Sequence, residues 1–282
     1  MSEKYVLSCI DGSSVGDAVC DYACWISKLI SKPLNFLHTI EHRHNLAFAE
    51  YSGTIGTKGR KDIIEKMASV EQELRTNLIE QGQELLASAK ERASKSGVLS
   101  PELTQRHGTL LESLIDLEEH IRVLVIGIRG ESHDRRREGV GTQLESIIRG
   151  IHRPIFVVNK EFSEPKKAML AYDGSDCCHK ALDWIVANKA FHHMPCHVVH
   201  VGDTGAHLLE EAGRKLKAAG VEVVTKNLKG KTDETLAAYQ LSENIDVTLM
   251  GAFSHTRIRG LLLGSFTAKM LSKTNKPLLL LR

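Results

Sequence analysis

The chain has 282 residues, of which 37 are Lys or Arg and 35 are Asp or Glu, so its net charge is +2. This near balance of charge excludes bulk attraction to nucleic acid or to a membrane surface. The length suits two domains of about 140 residues, each large enough to bury its own core.

The first half of the chain alternates between strand and helix patterns. Short, near-continuous apolar runs separated by helical patterns are typical of a parallel sheet that is covered on both faces. The predicted strands, in chain order, are "YVLSCI" (5–10), "LNFLHTI" (34–40), the weaker "VLSPELTQRHG" (98–108), "VLVIG" (123–127) and "PIFVV" (154–158).

A long insertion separates the second and third of these strands. Apolar residues recur there every three or four positions, which predicts one amphipathic helix added to the first half, at about residues 58–82. Its apolar face is expected to pack against the rest of the molecule, and docking of a partner protein is the alternative. The residues of this face are Ile63, Met67, Val70, Leu74 and Leu78.

The second half repeats the pattern of the first. In each copy an Asp-Gly-Ser aspartate lies 27 residues before a strand histidine, and a Thr or Ser lies 12 residues before a strand proline. Two halves with such matched spacing are copies of one unit. The matching pairs are Asp11 and His38 with Asp173 and His200, and Thr142 and Pro154 with Ser265 and Pro277. The strands of the second copy are "AMLAY" (168–172), "HVVHV" (197–201), "VEVVTKNLKG" (221–230), "VTLMG" (247–251) and "PLLLL" (277–281).

We therefore predict an α/β fold of two tandem domains, residues 1–160 and 165–282, each built on an open five-stranded parallel sheet. The apolar last strands, "IFVVN" and "LLLLR", are expected to join the halves about a pseudo-twofold axis, because apolar edge strands favour pairing. A homodimer that forms through the added helix is a further option.

Each copy carries a glycine-rich passage after its fourth strand, at residues 127–158 and 251–282. In an open parallel sheet, ligands bind at the carboxyl ends of the strands where the strand order reverses. Glycine lets the backbone approach an anion, and a helix that begins at Gly-Thr or Gly-Ser points free amide groups at it. The second passage also has three Arg, three Lys and no acidic residue. A phosphate site is one interpretation, and a helix cap with turn-forming glycines is the other.

The sequence shows no set of residues spaced as a catalytic site or a metal site would require. The segments "CCH" (177–179) and "HHMPCH" (192–197) are interpreted as surface loops with a buried cysteine, so no metal site is predicted. Six cysteines without a CxxC pair predict reduced, mostly buried thiols. No nucleophile and base can be paired, and no Walker lysine follows the glycines. We expect no more than slow, incidental turnover of a bound ligand.

The order of these motifs resembles the universal stress protein family. That family's pattern is an Asp-Gly-Ser strand end, a second strand with its histidine, and then glycine, two residues, glycine, nine residues, glycine and Ser or Thr. The similarity covers nearly the whole chain, as a tandem two-domain member. It implies domains of the adenine nucleotide α-hydrolase-like type, related to flavodoxin-like folds, and many members of the family bind ATP through this motif.

The resemblance also implies which residues contact a nucleotide. The aspartate after the first strand would lie near ribose or phosphate, and the backbone after the strand histidine would hold the adenine. In the second copy the implied residues are Ala171, Asp173, Val201, Gly251, Ser254, Gly264, Ser265, Phe266 and Thr267. In the first copy they are Asp11, Thr39, Gly127, Gly130, Gly141 and Thr142.

Neither copy follows the family pattern throughout. The first has ten residues between Gly130 and Gly141, and Gln143 follows Thr142 where another hydroxyl is expected. The second has the nine residues, but Ser254 replaces the second glycine. Because serine is small and can donate a hydrogen bond, the second copy is predicted to be the better nucleotide site. The first is predicted to be degenerate or reshaped for another ligand.

The resemblance implies a stress-response protein that binds ATP or AMP, with Mg²⁺ as an accompanying ion beside Asp11 or Asp173. Nucleotide occupancy would switch its interactions with unknown protein partners. Alternatives are a nucleotide-free scaffold, a binder of another small ligand, and an adenylate-handling enzyme. The chain has no apolar run of roughly 20 residues and no signal-peptide pattern, which predicts a cytoplasmic protein without membrane or nucleic-acid partners.

Overall fold

Strands and helices alternate along the chain in the computed structural model, which describes residues 3–41, 57–130, 142–252 and 265–282. The first half contains β1 (Tyr5–Cys9), α1 (Gly16–Ile30), β2 (Leu34–Ile40), α2 (Thr57–Lys95), β3 (Glu102–His107), α3 (Leu110–Leu117), β4 (Ile121–Gly127), α4 (Thr142–Gly150) and β5 (Ile155–Val158). The second half contains β6 (Ala168–Ala171), α5 (Asp176–Ala187), β7 (Cys196–Val201), α6 (Ala206–Ala218), β8 (Val223–Leu228), α7 (Thr232–Ser242), β9 (Val247–Gly251), α8 (Ser265–Lys273) and β10 (Leu278–Leu281).

The ten strands form one sheet in the order β3-β2-β1-β4-β5-β10-β9-β6-β7-β8. Within each half all neighbouring strands are parallel, and β5 and β10 pair antiparallel between the halves. The predicted α/β fold of two open five-stranded sheets is confirmed, and the two apolar last strands do form the contact. All four residues of β5 and all four of β10 are buried, as expected for strands covered on both faces.

The β5–β10 pair relates the two halves by a pseudo-twofold axis. A shift of 123 residues aligns the sequence of β5 with that of β10. Phe156 lies opposite Leu279, which is its own counterpart under this shift, and Leu278 lies opposite Val157. Pairing of a strand with its own repeat in this register is what a twofold axis generates. The carboxyl ends of the parallel strands therefore lie at opposite edges of the sheet in the two halves.

Helices cover both faces of the sheet, and each apolar layer runs through both halves. One layer includes residues of α1, α2, α5 and α6, and the other includes residues of α3, α4, α7 and α8. At the junction, the ring of Phe156 lies 5.2 Å from that of Tyr22 and 6.3 Å from that of Trp25. Trp25 also reaches Phe191 of the second half, at 6.4 Å. The halves therefore share a core as well as a strand pair.

The second helix of the first half is much longer than its counterpart. α2 has 39 residues and α6 has 13. The predicted added helix is the first part of α2 and not a separate element, because the chain continues as helix into the segment shared with α6. In the described part of the chain, no helix, α2 included, combines the length and apolarity that crossing a bilayer requires.

Gly82 marks where the shared segment of α2 begins. Its counterpart under the 123-residue shift is Gly205, directly before the first residue of α6. A Cβ at Gly82 would collide with the side chains of His38 and Gln105, and one at Gly205 would collide with the matching histidine, His200. Each glycine therefore lets a helix approach the second and third strands of its half. In α2 the helix simply runs through this position.

The beginning of α2 exposes part of its apolar face. Val70, Leu74 and Leu78 are 55, 52 and 41% exposed. The prediction that this face packs against the rest of the molecule is wrong for these three residues, because the helix extends beyond the segment that contacts the sheet. The side chains of Ile63 and Met67 lie outside the described residues.

The end of α2, in contrast, is fixed to α1. Arg92 donates from Nε and Nη2 to the two carboxylate oxygens of Asp21, both at 2.7 Å, and its Nη1 lies 3.0 Å from the carboxylate of Asp17. Two parallel charge-assisted bonds of this kind are stronger than neutral hydrogen bonds, and they raise the pKa of Arg92. Leu86 and Ala89 are buried in the same segment. The helix therefore has one packed part and one exposed part.

Phe156→Ala is expected to lower the free energy of unfolding by about 3 to 5 kcal/mol, because it removes a fully buried ring at the junction and leaves a cavity. Urea denaturation followed by tryptophan fluorescence measures the change. Phe162→Ala is the control, since Phe162 also contacts Tyr22, at 4.8 Å, but is 38% exposed. Its effect should be much smaller, and equal losses in the two variants would contradict the role of the junction.

Candidate functional site

The strand order of each half reverses next to its first strand. β2 lies on one side of β1 and β4 lies on the other, and β7 and β9 flank β6 in the same way. At such a switch point the loops after the two central strands diverge and leave a crevice at their carboxyl ends. The candidate sites are therefore the residues that follow β1 and β4 in the first half, and those that follow β6 and β9 in the second.

The Asp-Gly-Ser segments form the turns that leave β1 and β6. Oδ1 of Asp173 accepts a hydrogen bond from the backbone N–H of Ser175 (2.9 Å), and Ser175 in turn caps α5. Gly174 has a φ of +76°, which glycine adopts at low cost. Oδ1 of Asp11 accepts in the same way from Ser13 (3.1 Å). One oxygen of each aspartate thus organises its turn at the switch point, and contact with ribose or phosphate remains a prediction.

The strand histidines hold neighbouring strands together at this edge. The Nδ1 of His38 bonds to the carbonyl of Ile10 (3.1 Å), and the Nδ1 of His200 bonds to the carbonyl of Tyr172 (2.9 Å). Because a carbonyl only accepts, each Nδ1 carries the hydrogen and donates it. The bonds fix the ends of β2 and β7 beside the first strand, directly before Thr39 and Val201. The histidines are therefore positioning residues, and the adenine contacts of the following residues remain predicted.

The glycines that end β4 and β9 are required by helix packing. A Cβ at Gly127 would lie 2.8 Å from Cγ2 of Val15, and one at Gly251 would lie 2.7 Å from Cβ of Cys177. Val15 directly precedes α1 and Cys177 is in the first turn of α5, so a larger residue would push the first turn of each helix off the sheet. We expected these two glycines to let an anion approach the backbone. That expectation is incomplete, because the space where each Cβ would lie is filled by a neighbouring side chain of the protein.

Two predicted site residues meet in the first half. A Cβ at Gly130 would lie 3.0 Å from Oδ2 of Asp11, so the loop after β4 passes close to the Asp-Gly-Ser turn after β1. In the second half, Ala171 is buried at the end of β6, and its carbonyl accepts a hydrogen bond from Sγ of Cys178 (3.4 Å). The backbone of Ala171 therefore borders the same turn as Asp173.

The predicted helices after the glycine passages are present. α4 begins at Thr142 and α8 begins at Ser265, directly after Gly141 and Gly264 in the sequence. The two helices thus begin at the predicted residues, and contact of their first amide groups with a phosphate stays a prediction. Gly141, Ser254 and Gly264, and the side chains of Thr142 and Ser265, lie outside the described residues.

The next two residues of α8 face the protein interior to different degrees. Phe266 is half-buried and packs on the apolar layer that includes Met270 and Leu271. Thr267 is only 2% exposed. Its hydroxyl therefore lies within the fold, and its contact with a phosphate stays a prediction.

Several basic residues of the second passage bind other parts of the protein. Nζ of Lys273 lies 2.5 Å from Asp233 on α7, and this hydrogen bond raises the pKa of Lys273 and lowers that of Asp233. Lys276 donates to Asp246 (3.3 Å), and Arg282 donates to a backbone carbonyl of α4 (2.6 Å). Three of the six basic residues counted in the second glycine-rich passage therefore stabilise the fold. Contrary to the expectation, these three do not support the anion site.

A hydrogen bond that the sequence did not reveal spans the crevice of the first half. Nε2 of Gln143, in the first turn of α4, donates to Oε1 of Glu41, just beyond β2, at 2.7 Å. The two side chains thus connect the predicted phosphate end of the site to its predicted adenine end. The matching residues of the second half are Phe266 and Asp203, which cannot form this bond. In the sequence, the one signal of this contact was that Gln143 stands where the family pattern has a hydroxyl residue.

Most thiols of the protein are buried and resist ionisation. Burial raises the pKa of Cys20 and of Cys196 to about 12, and that of Cys178 to about 11. Cys177, at the start of α5 beside Gly251, is half-buried. Within the described ranges, no group of three or more His, Cys, Asp or Glu side chains is placed to hold a metal ion.

Comparisons with known proteins agree with this architecture. Residues 4–159 and 205–282 match the model of the universal stress protein family. The chain is 32% identical over 286 positions to Universal stress protein Slr1230 of Synechocystis sp., across 99% of this chain and 100% of that protein. A universal stress protein structure from Archaeoglobus fulgidus DSM 4304 covers 100% of this chain and 99% of its own, with a TM-score of 0.74 and 17% identity. The structure of PA1789 from Pseudomonas aeruginosa PAO1 covers 99% and 92%, with a TM-score of 0.63 and 14% identity. These two structures resemble the chain in fold.

Cys177 is expected to be the fast-reacting thiol of the native protein at about pH 8, because a thiol whose pKa is raised by burial holds too little thiolate to react. Titration with Ellman's reagent should give one fast phase, and all six thiols should react after denaturation. Cys177→Ser is the control and should abolish the fast phase. Two or more fast thiols in the native protein would contradict this assignment.

Proposed function

Because the chain belongs to the universal stress protein family, we propose that it binds an adenine nucleotide, ATP or AMP, at the carboxyl edge of its second half. Occupancy of this site regulates contacts with other proteins in the cytoplasm, as part of a stress response. The observation that carries the proposal is the start of α8 at Ser265, next in sequence to the loop that leaves β9 at the switch point.

The start of α8 supplies the groups that a phosphate needs. The first backbone N–H groups of a helix have no partner within the helix, and the helix dipole favours negative charge at this end. The first turn of α8 contains no acidic residue. The turn of Asp173 and the end of β7 at Val201 border the same edge, which leaves ribose and adenine to be held by the neighbouring strands, with Mg²⁺ beside Asp173.

The first half is less suited to an anionic ligand. The Gln143–Glu41 bond spans its crevice, so a ligand that approaches the start of α4 has to displace it. The second half has Phe266 in place of Gln143, so its crevice lacks this bond. This difference supports the second half as the nucleotide site and the first as a diverged copy.

At the second edge, Asp173 and His200 do not form an acid–base pair, and the hydroxyl of Tyr172 lies 3.0 Å from Nδ1 of His179. Asp173 organises its turn, and His200 donates its Nδ1 hydrogen to a carbonyl. Burial raises the pKa of Tyr172 to about 12, so its phenol stays protonated near neutral pH. General acid–base catalysis works best with groups whose pKa lies near the operating pH. We therefore assign the site to binding, with slow hydrolysis of ATP at most.

A scaffold without nucleotide is the second candidate function. The exposed apolar residues of α2 favour it, because a row of such residues on one helix face is a surface for protein contacts. The two candidates differ in one measurement, the affinity for nucleotide.

Gly264→Val is expected to abolish nucleotide binding, because a branched side chain at this position would block the approach of a phosphate to the backbone. Isothermal titration calorimetry with ATP and AMP measures the affinity and stoichiometry. Gly141→Val, at the matching position of the first half, is the control and should retain the wild-type affinity.

Wild-type binding of one nucleotide per chain, lost in Gly264→Val alone, is the expected result. Retained binding in that variant would contradict the assignment to the second half, and a wild-type protein that binds neither nucleotide would favour the scaffold.

ATP should also slow the labelling of Cys177, whose Cβ borders Gly251.

Glu41→Ala is expected to open the crevice of the first half, since it removes both the bond to Gln143 and a negative charge. In the Gly264→Val background, the affinity for ATP should rise by about tenfold or more, which corresponds to about 1.4 kcal/mol. Glu119→Ala, which removes another exposed carboxylate of the first half, is the control and should change nothing. An unaltered affinity after Glu41→Ala would show that the contact does not close the site.

A further inference from the structure

A row of exposed apolar side chains runs along the first part of α2. Val70, Leu74 and Leu78 are spaced by four residues, so they lie on one face of the helix, and each is more than 40% exposed. The described part of the chain has eight exposed large apolar side chains, and these three form the one row among them on a single helix. We call them the α2 stripe. The other five are Leu99, Leu103, Ile115, Phe162 and Leu241.

The spacing of the α2 stripe is that of a helix which packs against another helix. In sequence the row continues backward to Met67 and Ile63, at intervals of four, three, four and four residues. Apolar residues spaced in this way form one face of an amphipathic helix, the kind of face that packs against another element. The segment from Gly82 onward is packed on its own chain, through Leu86, Ala89 and Arg92. The exposed stripe therefore favours contact with a partner from outside the chain.

The distribution of charge along the first part of α2 indicates that its partner is a second copy of the same helix. Residues 57–68 contain four basic and two acidic side chains, a net charge of +2. Residues 69–81 contain three acidic side chains and one basic side chain, a net charge of −2. A second copy of the same helix, laid antiparallel, places each segment against its opposite. A parallel copy would place like charges together, which disfavours that arrangement.

We propose that the protein forms a homodimer in which α2 pairs antiparallel with α2 of a second copy, with Val70 near the twofold axis. The contact is isologous, so both copies use the same face of α2 and the assembly closes at two copies. It uses the first half of the chain and does not depend on nucleotide in the second. The sheet offers no equivalent surface in the described residues, since its outer strands β3 and β8 carry polar residues such as Gln105 and Lys226.

The dimer is tested with the full chain by sedimentation velocity over a range of concentrations, with and without ATP. The wild type is expected to dimerise in both conditions. Leu74→Glu should weaken the dimer at least tenfold, because it places a charge in the apolar contact. Ile115→Glu is the matched control: Ile115 is also 52% exposed but lies on α3, and its replacement should leave the dimer unchanged.

Charge reversal tests the orientation. In sequence, Lys66 and Glu73 lie on either side of Val70, and antiparallel pairing of α2 brings position 66 of one copy near position 73 of the other. Lys66→Glu and Glu73→Lys should each weaken the dimer, and the double variant should restore it. A double variant no stronger than the single ones would overturn the antiparallel geometry. A wild type that stays monomeric, or a Leu74→Glu variant that dimerises normally, would overturn the proposal, whatever the nucleotide measurements show.

Discussion

The antiparallel pairing of β5 with β10 is the interaction on which the rest of the structure depends. Every residue of both strands is buried, and an unpaired apolar edge strand is a template for aggregation. Pairing merges two open sheets into one, with the apolar strands at its centre and the more polar β3 and β8 at its ends. Because the two strands run in opposite directions, the carboxyl edges of the halves face away from each other. The two candidate sites are therefore separated, and each can diverge without steric conflict with the other.

Duplication has preserved the contacts that build each half and changed those that face the crevice. His38 and His200 make the same bond to the end of the neighbouring first strand, in both cases through Nδ1. At the start of the fourth helix, however, Gln143 binds Glu41 in the first half and Phe266 packs on the apolar layer in the second. The shared contacts are set by the geometry of the sheet, whereas the residues at the crevice differ between the two copies.

The long helix α2 combines two physical roles in one element. Its end is held by the Arg92–Asp21 pair and by buried small residues, so it forms part of the core. Its beginning has no such contacts for Val70, Leu74 and Leu78, and exposes them. Single exposed apolar residues are common on protein surfaces, but a row on one helix face is typical of an interface. Assembly through α2 and ligand binding beyond β9 would then use different halves of the chain.

The sequence by itself determined the alternation of strands and helices, the duplication and the pairing of the last strands, because apolar periodicity and matched offsets are properties of the chain's order. It also placed the starts of α4 and α8. Only the tertiary structure decided how side chains distant in sequence meet. Glu41 and Gln143 are 102 residues apart. Lys273 was counted toward an anion site, yet it binds Asp233, 40 residues away. The continuity of α2 and the exposure of its stripe likewise depend on where the sheet ends, because burial is a property of the neighbours that the fold supplies and not of the residue alone.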